Sequence, residues 1–408
     1  MKKRIDDYAD LLIKTGLNIE KGMHLVISCP VECAPFARLC AEKAYDAGCR
    51  EVIMNWSDDA LSRMKYLRAD DDIFDSVHPW TADFYNKVTE KDCAWLAIHA
   101  SDPEALSGVD PDRIRRAAAA SGEAIKPFRD RQMVNFYPWC VASVPSIAWA
   151  KKVFPALLEA DAVEKLWGLI LDCSRVFPGA DANAEWEKHT KKLKERVAIL
   201  NGYAFKSLHY VNSLGTDLTI ELPEGHFWEG GDEKTASGRR FCANIPSEEV
   251  FTAPKKTGVN GVVYASRPLV VNGSLAENFH FTLKDGKIVG IEAERGKDLL
   301  EAAIAVDEGA AFLGEVALVP HDSPISNSGV LFYNTLYDEN ASCHLAFGDS
   351  YPLVEGASDM TEEERTAHGL NHSIMHEDFM VGTADLSITG TTRDGREIPV
   401  FVNGNFAF

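Results

Sequence analysis

The stretch HLVISCPVECAPFARLCAEKAYDAGCREVIMNWS, residues 24–57, contains two short β-rich segments on either side of a helical one. HLVISC (24–29) and EVIMNWS (51–57) carry the apolar and β-branched residues that are typical of buried strands. PFARLCAEKAYDAG (35–48) has apolar residues at helical spacing and ends at a glycine, which can cap a helix. Strand, helix and strand joined by short links form a βαβ unit, so this stretch predicts a parallel sheet.

The same alternation continues on both sides of this stretch. Residues 6–15 carry apolar side chains at helical spacing, and CAWLAIHA (93–100) has the composition of a further buried strand. DPDRIRRAAAASGEAI (110–125) predicts a helix with Asp110 near its N-terminal cap. The first part of the chain is therefore predicted to be an α/β domain.

The pattern changes after a charged amphipathic helix, which is predicted over residues 184–201. Short strands and turns follow, including a hairpin signal at KDGK (284–287) and a second hairpin within 385–404. We therefore predict an α/β fold with a boundary near residue 200. An N-terminal parallel-sheet α/β domain spans 1–200, and a C-terminal α+β domain, which carries the candidate metal-binding catalytic site, spans 201–408.

Charge and composition exclude several kinds of partner. The 408-residue chain has a formal net charge of −20, which disfavours binding to nucleic acid or to an anionic membrane. No apolar run has the length of a signal peptide or a membrane span. The nine cysteines are scattered and odd in number, as expected for free thiols in a reducing compartment. The sequence thus predicts a soluble, cytoplasmic protein.

Four segments in the second half combine acids with histidines. In NHSIMHEDFMVG (371–382), His376 and Asp378 are two residues apart, so in an extended segment both side chains can reach one ion, whereas Glu377 points away. His372 could add a ligand if the segment were helical, but a surface role or a supporting one behind the ligands fits it equally well.

The second segment, GEVALVPHDSPI (314–325), places Glu315 inside an apolar run. A buried lone carboxylate is costly unless it is paired or binds a metal, so a solvent-facing position at a strand edge is the simpler interpretation. In the third segment, YDENASCHLAFGDSYP (337–352), His344 is flanked by small and apolar residues, which suits either a metal ligand or a hydrogen-bonded core histidine.

The fourth segment, NIPSEEVFTAP (244–254), contains the adjacent acids Glu248 and Glu249. In a strand only one of them would point inward, and a solvated pair is the simpler alternative.

Taken together, the four segments supply carboxylates and imidazoles that suit a pair of divalent ions such as Zn, Co or Mn. The chain lacks a GxSxG elbow and a phosphate-binding glycine loop, and Cys343 beside His344 is a weak candidate nucleophile because neighbouring strand residues point apart.

In order and spacing, these four segments, together with WEGG (228–231), resemble the M29 family of metallo-aminopeptidases, the thermophilic aminopeptidase type. The resemblance extends over almost the whole chain. It implies a homodimer with a two-metal centre that acts on peptides. The residues that the resemblance implies as metal ligands are Glu249, Glu315, His344, His376 and Asp378, with Tyr351 as a sixth participant.

The resulting hypothesis is a metal-dependent aminopeptidase that removes N-terminal residues from peptides by means of a metal-activated water. Glu315 and Tyr351 are the expected catalytic residues; Tyr351 is either a weak ligand or a hydrogen-bond donor to the developing oxyanion. Glu339 could move a proton or support a ligand. The alternatives are another two-metal hydrolase, acting on an amide, ester or phosphoester, and a non-catalytic binding protein on the same scaffold.

Overall fold

The structure, a computed structural model, describes residues 1–100, 102–271 and 274–408. The chain divides into two compact units, of which the first comprises Met1–His189 and Asp232–Pro246, and the second Thr190–Gly231 and Ser247–Phe408. This division differs from a single cut near residue 200, because the chain enters the second unit and then returns to the first. The assignment of the catalytic site to a C-terminal domain over 201–408 stays a prediction. Among the described residues, no helix has the length and apolar character needed to cross a bilayer.

Helices occur along the whole chain. They are α1 (Lys2–Leu11), α2 (Ala34–Asp46), α3 (Asp59–Arg68), α4 (Pro79–Val88), α5 (Pro111–Ala124), α6 (Lys126–Met133), α7 (Ile147–Val153), α8 (Glu159–Cys173), α9 (Ala182–Tyr203), α10 (Lys297–Ala303), α11 (Pro324–Asn327), α12 (Thr335–Glu339) and α13 (Glu362–Ala367). A π-helical turn, Leu12–Gly16, follows α1, and short 3₁₀ turns occur at Val31–Cys33, Asp71–Phe74, Gly309–Ala311 and Ala357–Asp359.

The strands form one parallel sheet and several antiparallel ones. They are β1 (His24–Pro30), β2 (Glu51–Ser57), β3 (Cys93–His99), β4 (Trp139–Ser143), β5 (Ser207–Val211), β6 (Asp217–Glu221), β7 (Glu233–Lys234), β8 (Arg240–Phe241), β9 (Val250–Thr252), β10 (Val259–Tyr264), β11 (Leu269–Val271), β12 (Ser274–Lys284), β13 (Lys287–Arg295), β14 (Leu313–Leu318), β15 (His344–Gly348), β16 (His376–Met380), β17 (Ser387–Thr391), β18 (Glu397–Val402) and β19 (Asn405–Phe406).

The first unit is built around the parallel sheet, in the order β2-β1-β3-β4. The predicted βαβ unit is confirmed: β1, α2 and β2 follow one another, and Gly48 just beyond α2 has a φ of 92°, the left-handed conformation that ends many helices. The Asp110 carboxylate accepts a hydrogen bond from the Asp112 N–H, which confirms the predicted cap of α5. The short β7–β8 ladder completes this unit.

The second unit contains two antiparallel sheets. Nine strands form the larger sheet, in the order β11-β12-β10-β6-β5-β17-β18-β19 with β13 on β12, and four form the smaller one, in the order β16-β15-β14-β9. Both predicted hairpins, β12–β13 and β17–β18, are confirmed.

The two sheets of this unit share one apolar core. Phe379 on the smaller sheet packs edge-on against Phe281 on the larger one, with ring centroids 5.1 Å apart. The side chains that the smaller sheet contributes to the core are Val250, Leu313, Val316, Leu318, Leu345, Phe347 and Phe379. One face of the smaller sheet is therefore used for packing, which leaves its other face for a different purpose.

The turn of the β12–β13 hairpin depends on the backbone conformation of its two central residues. Asp285 and Gly286 both have positive φ, 50° and 85°, as a two-residue hairpin turn requires. A Cβ atom on Gly286 would lie 1.7 Å from the Lys256 carbonyl oxygen. We expect Gly286→Ala to lower the free energy of unfolding by at least about 3 kcal/mol, through steric clash added to backbone strain.

Gly395 provides the matched control for this substitution in urea unfolding experiments. It has nearly the same φ, 86°, but no atom lies within 4 Å of the position that a Cβ atom would take. Gly395→Ala should therefore cost only about 1 kcal/mol, the strain of the left-handed conformation alone. Equal losses for the two variants would show that the close approach to Lys256 is relieved without cost.

Candidate metal centre

The face of the smaller sheet opposite the core carries the acids and imidazoles of the four sequence segments. Side chains of directly paired strand residues lie on the same face. Glu315 on β14 pairs with Ala346 on β15, which pairs in turn with Asp378 on β16. Ala317 pairs with both His344 and Phe251. The acids and imidazoles on this face, which we call the metal face, are Glu249, Glu315, His344, His376 and Asp378.

A β-bulge at Gly314 places Glu315 on this face. Leu313 pairs with Phe347, but Glu315 pairs with the very next residue, Ala346, so β14 contains one residue more than β15 between these pairs. Without the bulge, Leu313 and Glu315 would share a face. A Cβ atom at Gly314 would lie 2.0 Å from the Asp349 carbonyl oxygen, so only glycine fits here. The bulge lets Leu313 enter the core while Glu315 points to the metal face.

Glu249 and His344 form the first close pair on this face. The Glu249 Oε2 and His344 Nε2 atoms are 3.1 Å apart, and both side chains are buried. The other ring nitrogen, His344 Nδ1, lies 3.0 Å from the Glu339 carbonyl oxygen and 3.1 Å from that of Ser342. Because a carbonyl only accepts hydrogen bonds, Nδ1 must carry the proton, and Nε2 presents its lone pair to Glu249 in the neutral ring.

Glu315, His376 and Asp378 form the second group. His376 Nε2 lies 3.0 Å from Glu315 Oε2 and 3.5 Å from Asp378 Oδ1, and His376 Nδ1 donates to the Asp349 carbonyl oxygen at 2.8 Å. Asp378 Oδ1 is buried and receives no hydrogen bond from the described residues. Such a buried, unsatisfied carboxylate oxygen requires an explanation, for example a bound ion.

The two groups fit divalent metal ions. Glu315 belongs to both, and within each group the candidate ligand atoms lie within 4.8 Å of one another. A neutral imidazole Nε2 and a carboxylate oxygen are both acceptors, so their approach to about 3 Å requires a proton or a cation between them. Nitrogen and oxygen ligands of this kind suit Zn, Co and Mn. Each Nδ1–H is held by a backbone carbonyl, the support that metal-binding histidines normally have.

The pKa values on the metal face reflect this crowding of charges. Burial opposes ionisation of both histidines, but the hydrogen bond and charge of Glu249 raise the pKa of His344 well above its usual value, and the nearby Asp378 and Glu315 carboxylates do the same for His376. Burial raises the pKa of Glu315. Burial would also raise the pKa of Asp378, but the positive charges of His376 and His344 hold it below its usual value. Without a metal ion, the positive charge of protonated histidines therefore offsets the negative charge of the carboxylates.

Tyr351 and Glu339 lie beside this set. The Tyr351 ring packs against the rings of His376 and Phe251, with centroids 5.4 and 5.5 Å away. Glu339 ends α12 and keeps some solvent access, yet burial and the negative charges of Asp378 and Glu249 raise the pKa of its carboxyl well above the usual range. The structure therefore brings both residues named from the sequence close to the metal face.

Other sequence interpretations have mixed outcomes. The simpler interpretation of Glu315, a solvent-facing strand edge, is wrong, because β14 is an inner strand and Glu315 is buried. The simpler alternative for Glu248 and Glu249, a solvated pair, is also wrong, since both are buried. They lie just before β9 begins, so the alternation expected within a strand does not apply to them. Glu377 does point away: it pairs with Phe347 on the core side of the sheet, where burial raises the pKa of its carboxyl to about 8.

His372 and Cys343 do not join the set. His372 is half exposed and pairs with Asp349 in a segment that is not helical. The Cys343 thiol donates to the Val319 carbonyl oxygen at 3.3 Å, and Cys343 belongs to the apolar core.

Sequence reasoning missed Asn340, a fully buried residue after α12. Its Oδ1 accepts from the Glu248 N–H at 2.7 Å, and its Nδ2 donates to the Leu336 carbonyl oxygen at 2.9 Å and to Glu339 Oε1 at 3.3 Å. It thereby ties the segment that carries Glu249 to the helix that carries Glu339. An asparagine after a short helix normally marks a turn, so no local pattern distinguishes this role.

A set of candidate nitrogen and oxygen ligands on one sheet face is what a metalloenzyme needs to hold its metal. The model of the thermophilic metalloprotease family, M29, matches residues 1–406. The chain belongs to the M29 family, which confirms the resemblance found in the sequence. It is accordingly a metalloprotease, a hydrolase that acts on peptides with the help of a divalent metal ion.

Relatives agree with this assignment along almost their whole length. The chain is 42% identical to aminopeptidase AmpS of Bacillus subtilis, with 100% of this chain and 99% of that protein covered. It is 38% identical to aminopeptidase T of Thermus thermophilus, with 99% and 98% covered. The solved structure of wild-type AmpT from Thermus thermophilus superimposes with a TM-score of 0.93 over 100% of both chains.

Proposed function

We propose that this protein is a metal-dependent aminopeptidase that removes N-terminal residues from peptides at a two-metal centre on the metal face. The observation that carries the proposal is the pair of ligand groups that share Glu315. Full-length relatives named aminopeptidases support the choice of an exopeptidase within the family.

Glu315 is the residue that would contact both ions. Glu249 and His344 would complete one site, and His376 and Asp378 the other, with Co, Zn or Mn as the candidate metals. When bound, such a pair supplies Lewis acidity and lowers the pKa of water, which is the usual contribution of two-metal centres to hydrolysis.

The remaining roles fall to side chains beside the ligands. We assign to Tyr351, whose ring lies against His376, the hydrogen bond to the oxygen on which negative charge develops. Glu339, whose Oε1 atom accepts from Asn340, is the candidate to move a proton between water and the leaving amine. Burial of Glu249, Glu315 and His344 limits their contact with bulk water and strengthens these electrostatic interactions.

Chelation tests the proposal directly. We expect a strong chelator to remove at least about 99% of the hydrolysis of L-leucine p-nitroanilide, because the ligand groups alone offer no activated nucleophile. Adding Co, Zn or Mn should restore it, with about two ions per chain by elemental analysis.

N-acetyl-leucine p-nitroanilide is the matched control substrate, because it lacks the free amino group that an aminopeptidase requires. Full activity in metal-free protein, or equal cleavage of the blocked substrate, would contradict the proposal. Hydrolysis of a phosphoester or simple ester without cleavage of any peptide would favour another two-metal hydrolase. Bound metal without any turnover would favour a binding protein.

We further propose a cytoplasmic homodimer. All nine cysteines are buried free thiols, which suits a reducing compartment. The dimer rests on the family resemblance of the four sequence segments.

A further inference from the structure

A short segment between β10 and β11 lies beside the outer edge of β16. The Ser266 N–H donates to the Met380 carbonyl oxygen at 2.8 Å. Met380 pairs with His344 across the sheet, so this contact lies level with a residue of the metal face. Ser266 therefore brings its neighbour Arg267 close to one end of the metal centre.

The outer edge of β16 also carries main-chain groups that the sheet itself does not use. The Val381 N–H bonds to the Cys343 carbonyl oxygen and the Asp349 N–H to that of Met375, so odd-numbered residues of this strand turn their main-chain groups towards β15. Met380 and Asp378 turn theirs outward. Among the described residues, the outward N–H and C=O of Asp378 have no hydrogen-bond partner. An extended peptide can pair with such an edge.

Arg267 supplies the positive charge of this segment. Its side chain is partly buried, and within residues 1–100, 102–271 and 274–408 its guanidinium makes no hydrogen bond or ion pair. Asp338 is the nearby acid: burial raises the pKa of its carboxyl to about 6, and the charge of Arg267 counteracts this rise. The Asp338 carboxylate accepts hydrogen bonds from the N–H groups of Phe332 and Asn334, at 2.8 and 3.0 Å, and the Arg267 guanidinium is not among its hydrogen-bond partners. Arg267 thus remains available to an external anion.

We propose that Arg267 binds the C-terminal carboxylate of di- and tripeptide substrates that lie along the outer edge of β16. Asp378 and Met380 are two residues apart on this edge, a distance of roughly 7 Å. An extended peptide advances about 3.3–3.6 Å per residue, so a chain of two or three residues that starts at the metal centre ends near Arg267. A guanidinium holds a carboxylate by two parallel hydrogen bonds. This inference rests on the proposed aminopeptidase function and adds a preference for short peptides with a free carboxyl end.

The test compares Leu-Gly-Gly as the free acid with Leu-Gly-Gly amide. For the wild-type holoenzyme we expect kcat/KM to be about 10- to 100-fold higher for the acid, mainly through a lower KM, as one charge-assisted contact provides. Arg267→Met should bring the acid down to the level of the amide and leave hydrolysis of the amide unchanged. Arg267→Lys should keep part of the preference.

Arg295→Met is the matched control, because it removes an arginine that is exposed and paired with Glu277 on β12. It should keep the full preference for the free acid. Equal hydrolysis of acid and amide by the wild type would overturn the inference and leave the aminopeptidase function intact. An equal loss on both substrates in Arg267→Met would overturn it as well, by showing a structural role. Failure to cleave either peptide would overturn the proposed function together with the inference.

Discussion

Glu315→Gln is expected to lower kcat/KM for L-leucine p-nitroanilide at least about 1000-fold while the protein stays folded. Glu315 is the only member that the two ligand groups share, so its loss affects both sites at once. The amide keeps the size of the carboxylate but removes its negative charge, and one of its two oxygen ligands becomes an NH₂ group. The loss of one well-placed electrostatic group already costs about 100- to 1000-fold in other enzymes, and here two ion sites would be weakened.

Glu377→Gln is the matched control. It makes the same chemical change two strands away, on β16. There Glu377 lies on the core side of the sheet and pairs with Phe347. We expect activity within about threefold of wild type, since the substitution keeps the side-chain volume. Calorimetric titration of metal into both variants should show weaker binding only for Glu315→Gln. If Glu315→Gln kept near wild-type activity, the proposed ligand set would be wrong.

Ala346→Leu is expected to reduce metal affinity and kcat/KM at least about 100-fold without changing any acid or imidazole. Ala346 lies between Glu315 and Asp378, as the cross-strand partner of both, and is fully buried. A leucine would fill the space between those carboxylates and push them apart, and displacements near 1 Å can cost about 100-fold in catalysis. Overpacking should also cost roughly 1–3 kcal/mol of stability.

Ala346→Gly separates these two effects. It frees space instead of filling it, so we expect metal binding within about threefold of wild type at a stability cost of about 1 kcal/mol. Unfolding curves recorded beside the metal titrations would identify any loss that comes from unfolding alone. Normal metal binding by a folded Ala346→Leu protein would mean that the ions do not lie above this strand position.

The parts of the fold that local sequence decides could be predicted. The βαβ unit follows from two β-rich runs around a helix that stops at Gly48, and the β12–β13 hairpin follows from the positive φ that Asp285 and Gly286 tolerate. Both depend on neighbours within one or two dozen residues. The chain's return to the first unit at 232–246 has no such local signal, because it depends on contacts between distant segments.

The metal centre shows the same limit. The sequence identified four segments with suitable side chains, but not the register that aligns β9, β14, β15 and β16. Glu315 illustrates this point: alternation along β14 would place it beside Leu313, and only the pairing with β15 shows the extra residue at Gly314. Asn340 is a second example, since its hydrogen bonds reach a segment about ninety positions away.

The bulge at Gly314 has a practical consequence for protein engineering. Anyone who transplants this centre to another antiparallel sheet by copying the five ligands onto a regular strand would turn the equivalent of Glu315 into the hydrophobic interior. The transferable unit is longer: it includes the inserted glycine and the carbonyl of Asp349 against which that glycine rests. By the same logic, deletion of one residue from β14 would exchange an acid for an apolar side chain at the ions, so the length of this strand specifies the chemistry as firmly as its composition does.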